Sequence, residues 1–296
     1  MKQLTGVEIS WAAQLACLFE VSVAKAGNVS RSAAFADARF EDFAASAIAI
    51  GPALRAAGPA TVGQTVARAA ADTRRLVATN TNLGIILLLA PLAKAATRGD
   101  VEGGLRAALH RVLADLTLDD ARLVYAAIRA ASPAGMGAVA AHDVGAEEVT
   151  VTLREAMDAA RERDAVAREF VTDFAITFSL GAETLLRCWR DGARFSDAVV
   201  MTFLTILAQV PDTLIARKNG TAVAEDVSHR AALVLEAGGS FSEPGRARTA
   251  ELARELADDA HALNPGTTAD LVAASLFVCL TEGGLLNDVA ALTARW

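Results

Sequence analysis

Aromatic residues are scarce in this 296-residue chain, at 5% with a single tyrosine. Few β-branched residues cluster, and alanine, the best helix former, dominates, so an all-α fold is predicted over a sheet-based one. The three cysteines (Cys17, Cys188, Cys279) stand alone in apolar runs without CxxC spacing. They read as small core residues in a reducing compartment, not as a disulfide framework. The four histidines (His110, His142, His229, His261) are dispersed, which argues against a His-based metal site. No Ser/His/Asp grouping, Walker loop or GxGxxG is present.

Mean hydropathy is +0.33, yet the apolar runs Leu83–Ala93 and Ala198–Val210 fall well short of the roughly 20 residues that span a membrane. No membrane association is expected. No basic region followed by an apolar stretch opens the chain, so no signal peptide is expected and a cytoplasmic location is. Net charge is −7, with Lys and Arg scattered among Asp and Glu. A nucleic-acid partner is therefore not expected.

Against those absences, helical periodicity is everywhere. It predicts helices over Ile9–Val23, Phe40–Ala57 (kinked or ended at Gly51-Pro52), Thr61–Val77, Leu83–Ala96, Val101–Leu113 and Leu118–Ala130. A long helix over Thr152–Phe178 opens on the capping signature Thr152-Leu-Arg-Glu155. Ala182–Arg190, Ser196–Ala216, Ala222–Glu236, Pro244–Ala262 and Thr268–Leu280 follow. With no βαβ alternation or fixed-period repeat, residues 1–296 read as a single all-α domain, a bundle of roughly a dozen helices. Ser132–Thr150, rich in Gly with Pro133, is the clearest long loop and a candidate lid.

Four polar segments interrupt this background: Lys25–Arg31, Asn80–Gly84, Asp212–Gly220 and Asn264–Asp270. Each abuts an apolar helix, and free N–H groups at helix starts suit an anion. Asn80-Thr81-Asn82 is placed to cap one helix, and Thr267 or Thr268 another. Asp212 follows Pro211 inside an apolar run, where an unpaired carboxylate is costly. It needs a metal, an arginine or a ligand hydroxyl. Arg217 and Lys218 precede the C-cap pair Asn219-Gly220, so the helix dipole also accounts for them. Glu20, Lys25 and Arg31 gather a carboxylate, an amine and a guanidinium around the Gly27 turn, with Asn28 beside it. On the long predicted helix, Met157, Arg161, Asp164, Arg168, Val171 and Ala175 fall on one stripe, either a buried ion-pair network or a site wall.

Taken in order, these segments resemble the triphosphoribosyl-dephospho-CoA synthase family, which makes the prosthetic-group precursor of citrate lyase and malonate decarboxylase. Glu20-Val21 and Lys25-Ala26-Gly27-Asn28 resemble the family's Glu-Val and Lys-Pro-Gly loop. Asn80-Thr81-Asn82-Leu83-Gly84 is similar to its Asn-Thr-His-Lys-Gly, and Asp212-Thr213 with Arg217 to Gly220 is similar to its Asp-Thr and Arg-Gly-Gly. Asn264-Pro265-Gly266-Thr267-Thr268-Ala269-Asp270-Leu271-Val272-Ala273 resembles its Ser-Pro-Gly-Gly-Ser-Ala-Asp-Leu-Leu-Ala. Asn82-Leu83 stand where the family has His-Lys, and Phe40-Glu41-Asp42-Phe43 where it has Asp-Met-Asp. This pattern looks like a divergent branch found in archaea and methylotrophic bacteria.

The resemblance implies an all-α fold and a cofactor-biosynthesis transferase in which a dephospho-CoA ribose hydroxyl attacks C1 of the ATP ribose and adenine leaves. It implies Mg²⁺ on the triphosphate. In this frame Glu20, Asp212 and Asp270 are catalytic candidates, and Glu41, Asp42 and Asp212 metal candidates. Lys25, Asn28, Arg31, Asn80, Thr81, Asn82, Asp164, Arg168, Arg217, Lys218, Thr267 and Thr268 would bind substrate or phosphate. The expected partner is a nucleotide or other phosphorylated small molecule, and a homodimer is left open. Two rivals stand beside this reading: an enzyme of one-carbon carrier synthesis with a different phosphorylated substrate, and a non-catalytic helical scaffold.

Overall fold

A computed structural model of the chain describes residues 3–99, 102–131, 149–257 and 261–296. The expected loop over Ser132–Thr150 lies, except for its last two residues, outside the described residues. The predicted all-α class holds: the described residues form helices and one isolated bridge between Ser30 and Ala33. They divide into two compact units, neither continuous in sequence. One comprises Met1–Cys17 and Glu41–Phe174, the other Leu18–Phe40 and Ala175–Trp296.

The first unit contains most of α1 (Gly6–Ser22), then α2 (Phe40–Arg55), α3 (Val62–Leu76), α4 (Leu83–Ala96), α5 (Gly104–Ala114), α6 (Leu118–Ala131), α7 (Leu153–Ala160) and α8 (Ala165–Val171). Its centre is α4, apolar on every side and buried along almost its whole length, as a helix without a polar face must be. It packs on α3, α5 and α8. Gly63 sits where α3 meets α6; a Cβ there would fall 2.7 Å from the Asp120 Cα. Asp120 accepts from the Gly63 N–H at 2.7 Å and the Thr117 N–H at 3.0 Å.

Helix α2 does not end at Gly51-Pro52 but runs on to Arg55. Pro52 has no N–H for the Ile48 carbonyl one turn back. Gln14 of α1 supplies the missing donor, its Nε2 reaching Ile48 O at 3.3 Å. Ser10 Oγ adds a bond to Gly51 O at 3.0 Å.

The long helix expected over Thr152–Phe178 is also corrected. Thr152 and Glu155 do form a reciprocal capping box, but α7 stops at Ala160. Asp164 then caps a new helix, accepting from Val166 N at 2.8 Å and Ala167 N at 3.4 Å. Asp is a poor helix-interior residue because its side chain competes for nearby backbone N–H groups. A second break follows α8, where Asp173 and Phe174 both take positive φ, 51° and 56°. Phe174 is fully buried against Phe170, which offsets that strain. The stripe from Met157 to Ala175 therefore does not exist as one helical face.

The second unit continues from a π-helical turn (Thr177–Ala182) into α9 (Glu183–Arg190), α10 (Phe195–Gln209), α11 (Thr213–Asn219), α12 (Thr221–Glu236), α13 (Glu243–Leu256), α14 (Gly266–Thr281) and α15 (Val289–Ala294). The helix expected over Ser196–Ala216 is two, bent by 51° at Pro211. Its buried centre is α14, from Leu271 to Thr281, packed on α9, α10, α11 and the π turn. Several of the rare aromatics gather here. Phe195 lies 5.0 Å from Phe19, 5.8 Å from Trp296 and 6.2 Å from Trp189. All three cysteines are buried, and burial pushes the Cys188 and Cys279 thiols up, as expected of core residues. Among the described residues, no single helix is long and apolar enough to cross a membrane.

Candidate functional site

In the second unit, three of the four polar segments converge: the loop after α1, the start of α11 and the loop before α14. Asp212 is 1% exposed and joins the last two. Its Oδ1 accepts from Leu214 N at 2.9 Å and Ile215 N at 3.1 Å, capping α11. Its Oδ2 accepts from Thr268 N at 2.7 Å and Thr268 Oγ1 at 2.8 Å, in the first turn of α14. The partner the sequence demanded is thus two helix starts, whose partial positive charges favour a carboxylate. Burial pushes the Asp212 carboxyl up, while the donors from Thr268, Ile215 and Leu214 pull the other way. Thr213 Oγ1 donates to Thr267 Oγ1 at 3.1 Å and closes the same seam.

The loop after α1 reaches this seam through Gly27. Its φ is +73°, and a Cβ there would lie 2.8 Å from Pro265 Cδ and 3.2 Å from Leu263 O. Only glycine allows both the turn and the close approach. Asn28, 7% exposed, donates Nδ2 to Asn264 Oδ1 at 2.8 Å and to Pro265 O at 3.4 Å. Its own Oδ1 is buried without a partner among the described residues. An unmatched buried acceptor costs roughly 1–3 kcal/mol, so it marks a place where a ligand donor gains most.

Lys25 is a correction. Its Nζ meets Glu20 Oε1 at 2.9 Å, the Glu20 carbonyl and, at 2.9 Å, Val23 O. All three ammonium donors are taken and the side chain is buried, so Lys25 closes the C-terminal end of α1 and does not face a phosphate. Glu20 is its counter-charge. Lys218 donates to His261 O at 2.9 Å, and Asn219 Nδ2 to Ala262 O at 2.8 Å, so the end of α11 anchors the loop before α14. Arg31 lies exposed over the Phe40 ring, 5.0 Å from its centroid. Arg217 and Asp270 are half-buried.

The remaining candidates belong to the first unit. Ser46 Oγ donates to Asp42 O at 2.7 Å, so Thr81 Oγ1 donates to Ser46 Oγ. Asn82 Nδ2 reaches Ser46 O at 3.5 Å. Asn82 is the N-cap residue of α4 but makes no side-chain capping bond; Asn80 Oδ1 accepts from Leu83 N at 3.2 Å in its place. Arg168 Nε donates to Arg161 O at 3.2 Å. Glu41 and Asp42 occupy the first turn of α2, where acidic residues complement the dipole.

These residues do not fit a resident metal. A carboxylate offers about four lone-pair sites, and Asp212 has four donors on them. Among the described residues no three His, Cys, Asp or Glu side chains group as ligands. No step is assigned to a metal. Thr213, Asn264 and Ser46 were not singled out from sequence. Thr213 and Asn264 lie inside the polar segments, but nothing in the pattern of α2 marks Ser46.

Comparison with known proteins fits this frame. The sequence model of the CitG family, ATP:dephospho-CoA triphosphoribosyl transferase, matches residues 7–288. The chain belongs to this family. A Pseudomonas fluorescens Pf-5 protein named as a probable 2-(5''-triphosphoribosyl)-3'-dephosphocoenzyme-A synthase is 33% identical over 136 residues. That match covers 45% of this chain and 43% of the relative, so the chain spans less than half the length of the curated relative it matches. A crystal structure from Archaeoglobus fulgidus, described as a triphosphoribosyl-dephospho-CoA synthase, is 30% identical with a TM-score of 0.64. It covers 81% of this chain and 98% of its own. Within the ATP:dephospho-CoA triphosphoribosyl transferase family, the seam of Asn28, Asp212 and Thr268 is built from the segments by which the sequence resembles it.

Proposed function

We propose that the chain transfers a triphosphoribosyl group from ATP to a ribose hydroxyl of dephospho-CoA. The acceptor oxygen bonds to C1′, the C1′–N9 bond breaks, and adenine leaves with the electron pair and takes up a proton. The observation that carries this reading is the family match over residues 7–288. Asn28 Oδ1, buried and without a partner among the described residues, accepts from a hydroxyl of the donor ribose. Thr268 gives both its N–H and its hydroxyl to Asp212, which fixes the start of α14 beside the site. Asp270 is a half-buried carboxylate near the start of α14. It takes the proton of the acceptor hydroxyl. Arg31 and Arg217 supply cations for phosphate. Asp212 acts as a positioning residue by fixing the two helix starts. Magnesium travels with the triphosphate, held mainly by phosphate oxygens and water, as Mg²⁺ commonly is. Catalysis then rests on orientation and electrostatics.

The test is to incubate the purified protein with ATP, dephospho-CoA and Mg²⁺ and follow adenine by chromatography. Adenine formation that depends on dephospho-CoA supports the reading. Its absence at stoichiometric enzyme overturns it.

A further inference from the structure

We infer that a cavity of about 190 Å³ in the first unit, between the end of α3 and the start of α4, is an oxyanion site for a phosphate group, with Arg74 as its cation. The proposed function enters only in naming the phosphate-bearing ligand as a nucleotide. The polar part of the lining is Thr73, Arg74, Thr79, Asn80 and Asn82, and no carboxylate among the described residues borders it. Everything charged or strongly dipolar there can donate: a guanidinium, two carboxamides, two hydroxyls and the first turn of a 14-residue helix.

Two further observations point to a ligand. Thr73 is 4% exposed, and its Oγ1 is buried without a partner among the described residues. A threonine within a helix readily bonds its hydroxyl to the carbonyl one turn back, and this one does not. Arg74 forms no ion pair among the described residues, although its neighbours Arg68 and Arg75 both approach Asp72, at 3.8 and 3.7 Å. Thr73, with its buried hydroxyl, and Arg74, exposed and without an ion pair among the described residues, thus border one cavity with Asn80 and Asn82. Its size is slightly above the roughly 150 Å³ of a cavity that takes benzene, enough for a phosphate or diphosphate group.

The test uses the whole chain and inorganic pyrophosphate, with phosphate and acetate as further arms, read by titration calorimetry. Wild type should bind pyrophosphate, phosphate more weakly and acetate least. Arg74→Gln should weaken pyrophosphate binding at least tenfold. Thr73→Val should weaken it several-fold with the melting temperature unchanged or raised, because the lost hydroxyl has no partner in the free protein. Arg75→Gln should leave affinity unchanged. Wild-type affinity in both Arg74→Gln and Thr73→Val, preference for acetate, or no pyrophosphate binding at millimolar concentration would overturn the site. Adenine release separates the two readings. If wild type releases adenine and Arg74→Gln keeps kcat/KM, the cavity fails alone. If no adenine forms yet Arg74→Gln loses pyrophosphate, the function fails alone.

Discussion

Replacing Lys25 by Met separates a helix-end lysine from a phosphate-binding one. Lys25 and Glu20 are 5% and 3% exposed, so their pair follows the energetics of buried ions, not of surface bridges. Losing the ammonium leaves a buried carboxylate alone and removes the donor from two carbonyls, those of Glu20 and Val23. Breaking a buried pair costs roughly 3–5 kcal/mol, of which the two carbonyls account for about 1 kcal/mol each. At about 2–4 °C per kcal/mol, Lys25→Met should melt roughly 6–20 °C below wild type. The double variant Glu20→Leu/Lys25→Met removes the stranded charge and should recover to a cost of about 2 kcal/mol. Urea denaturation and thermal melts read both. A Lys25→Met protein of wild-type stability that had lost nucleotide affinity would refute the reasoning, because the ammonium would then hold ligand and not the end of α1.

Gln14→Leu should cost about 1 kcal/mol, and the loss should vanish in a Pro52→Ala background, where residue 52 again donates to Ile48; denaturant midpoints of the four proteins check this. Burial alone would raise the Asp120 carboxyl, but bonds from Thr61, Gly63 and Thr117 outweigh it and hold it below its ordinary value. Its stabilisation is present above the ordinary carboxylate range and lost as pH falls through the depressed value. The acid side of the stability–pH curve should therefore flatten in Asp120→Asn, and an unchanged slope counts against the bonds. Asp270→Asn should lower kcat roughly 10²–10⁴-fold with little change in the KM for ATP, the range for removing a general base; steady-state adenine release reads the split, and an equal loss in binding alone would assign Asp270 to positioning.

Local chemistry was legible wherever a residue acts on its own turn. Thr152 and Glu155 form the capping box their spacing predicts, Gly27 makes its turn, and α4 is buried because it has no polar face. Where competing local signals met, periodicity alone misled: Asp164 capped a new helix inside what read as one, and Gln14 rescued α2 across Pro52 from another helix.

The sequence by itself determined the helical class, the family and the four polar segments, because propensity, period and motif order are properties of neighbours along the chain. Only the tertiary structure decided what each charged group does. The worth of Lys25, Asp212 or Arg74 depends on which distant atoms fill its hydrogen-bonding positions and how much water remains. Lys25 is filled by the end of α1, Asp212 by the starts of α11 and α14, whereas Arg74 borders a cavity without an ion pair among the described residues.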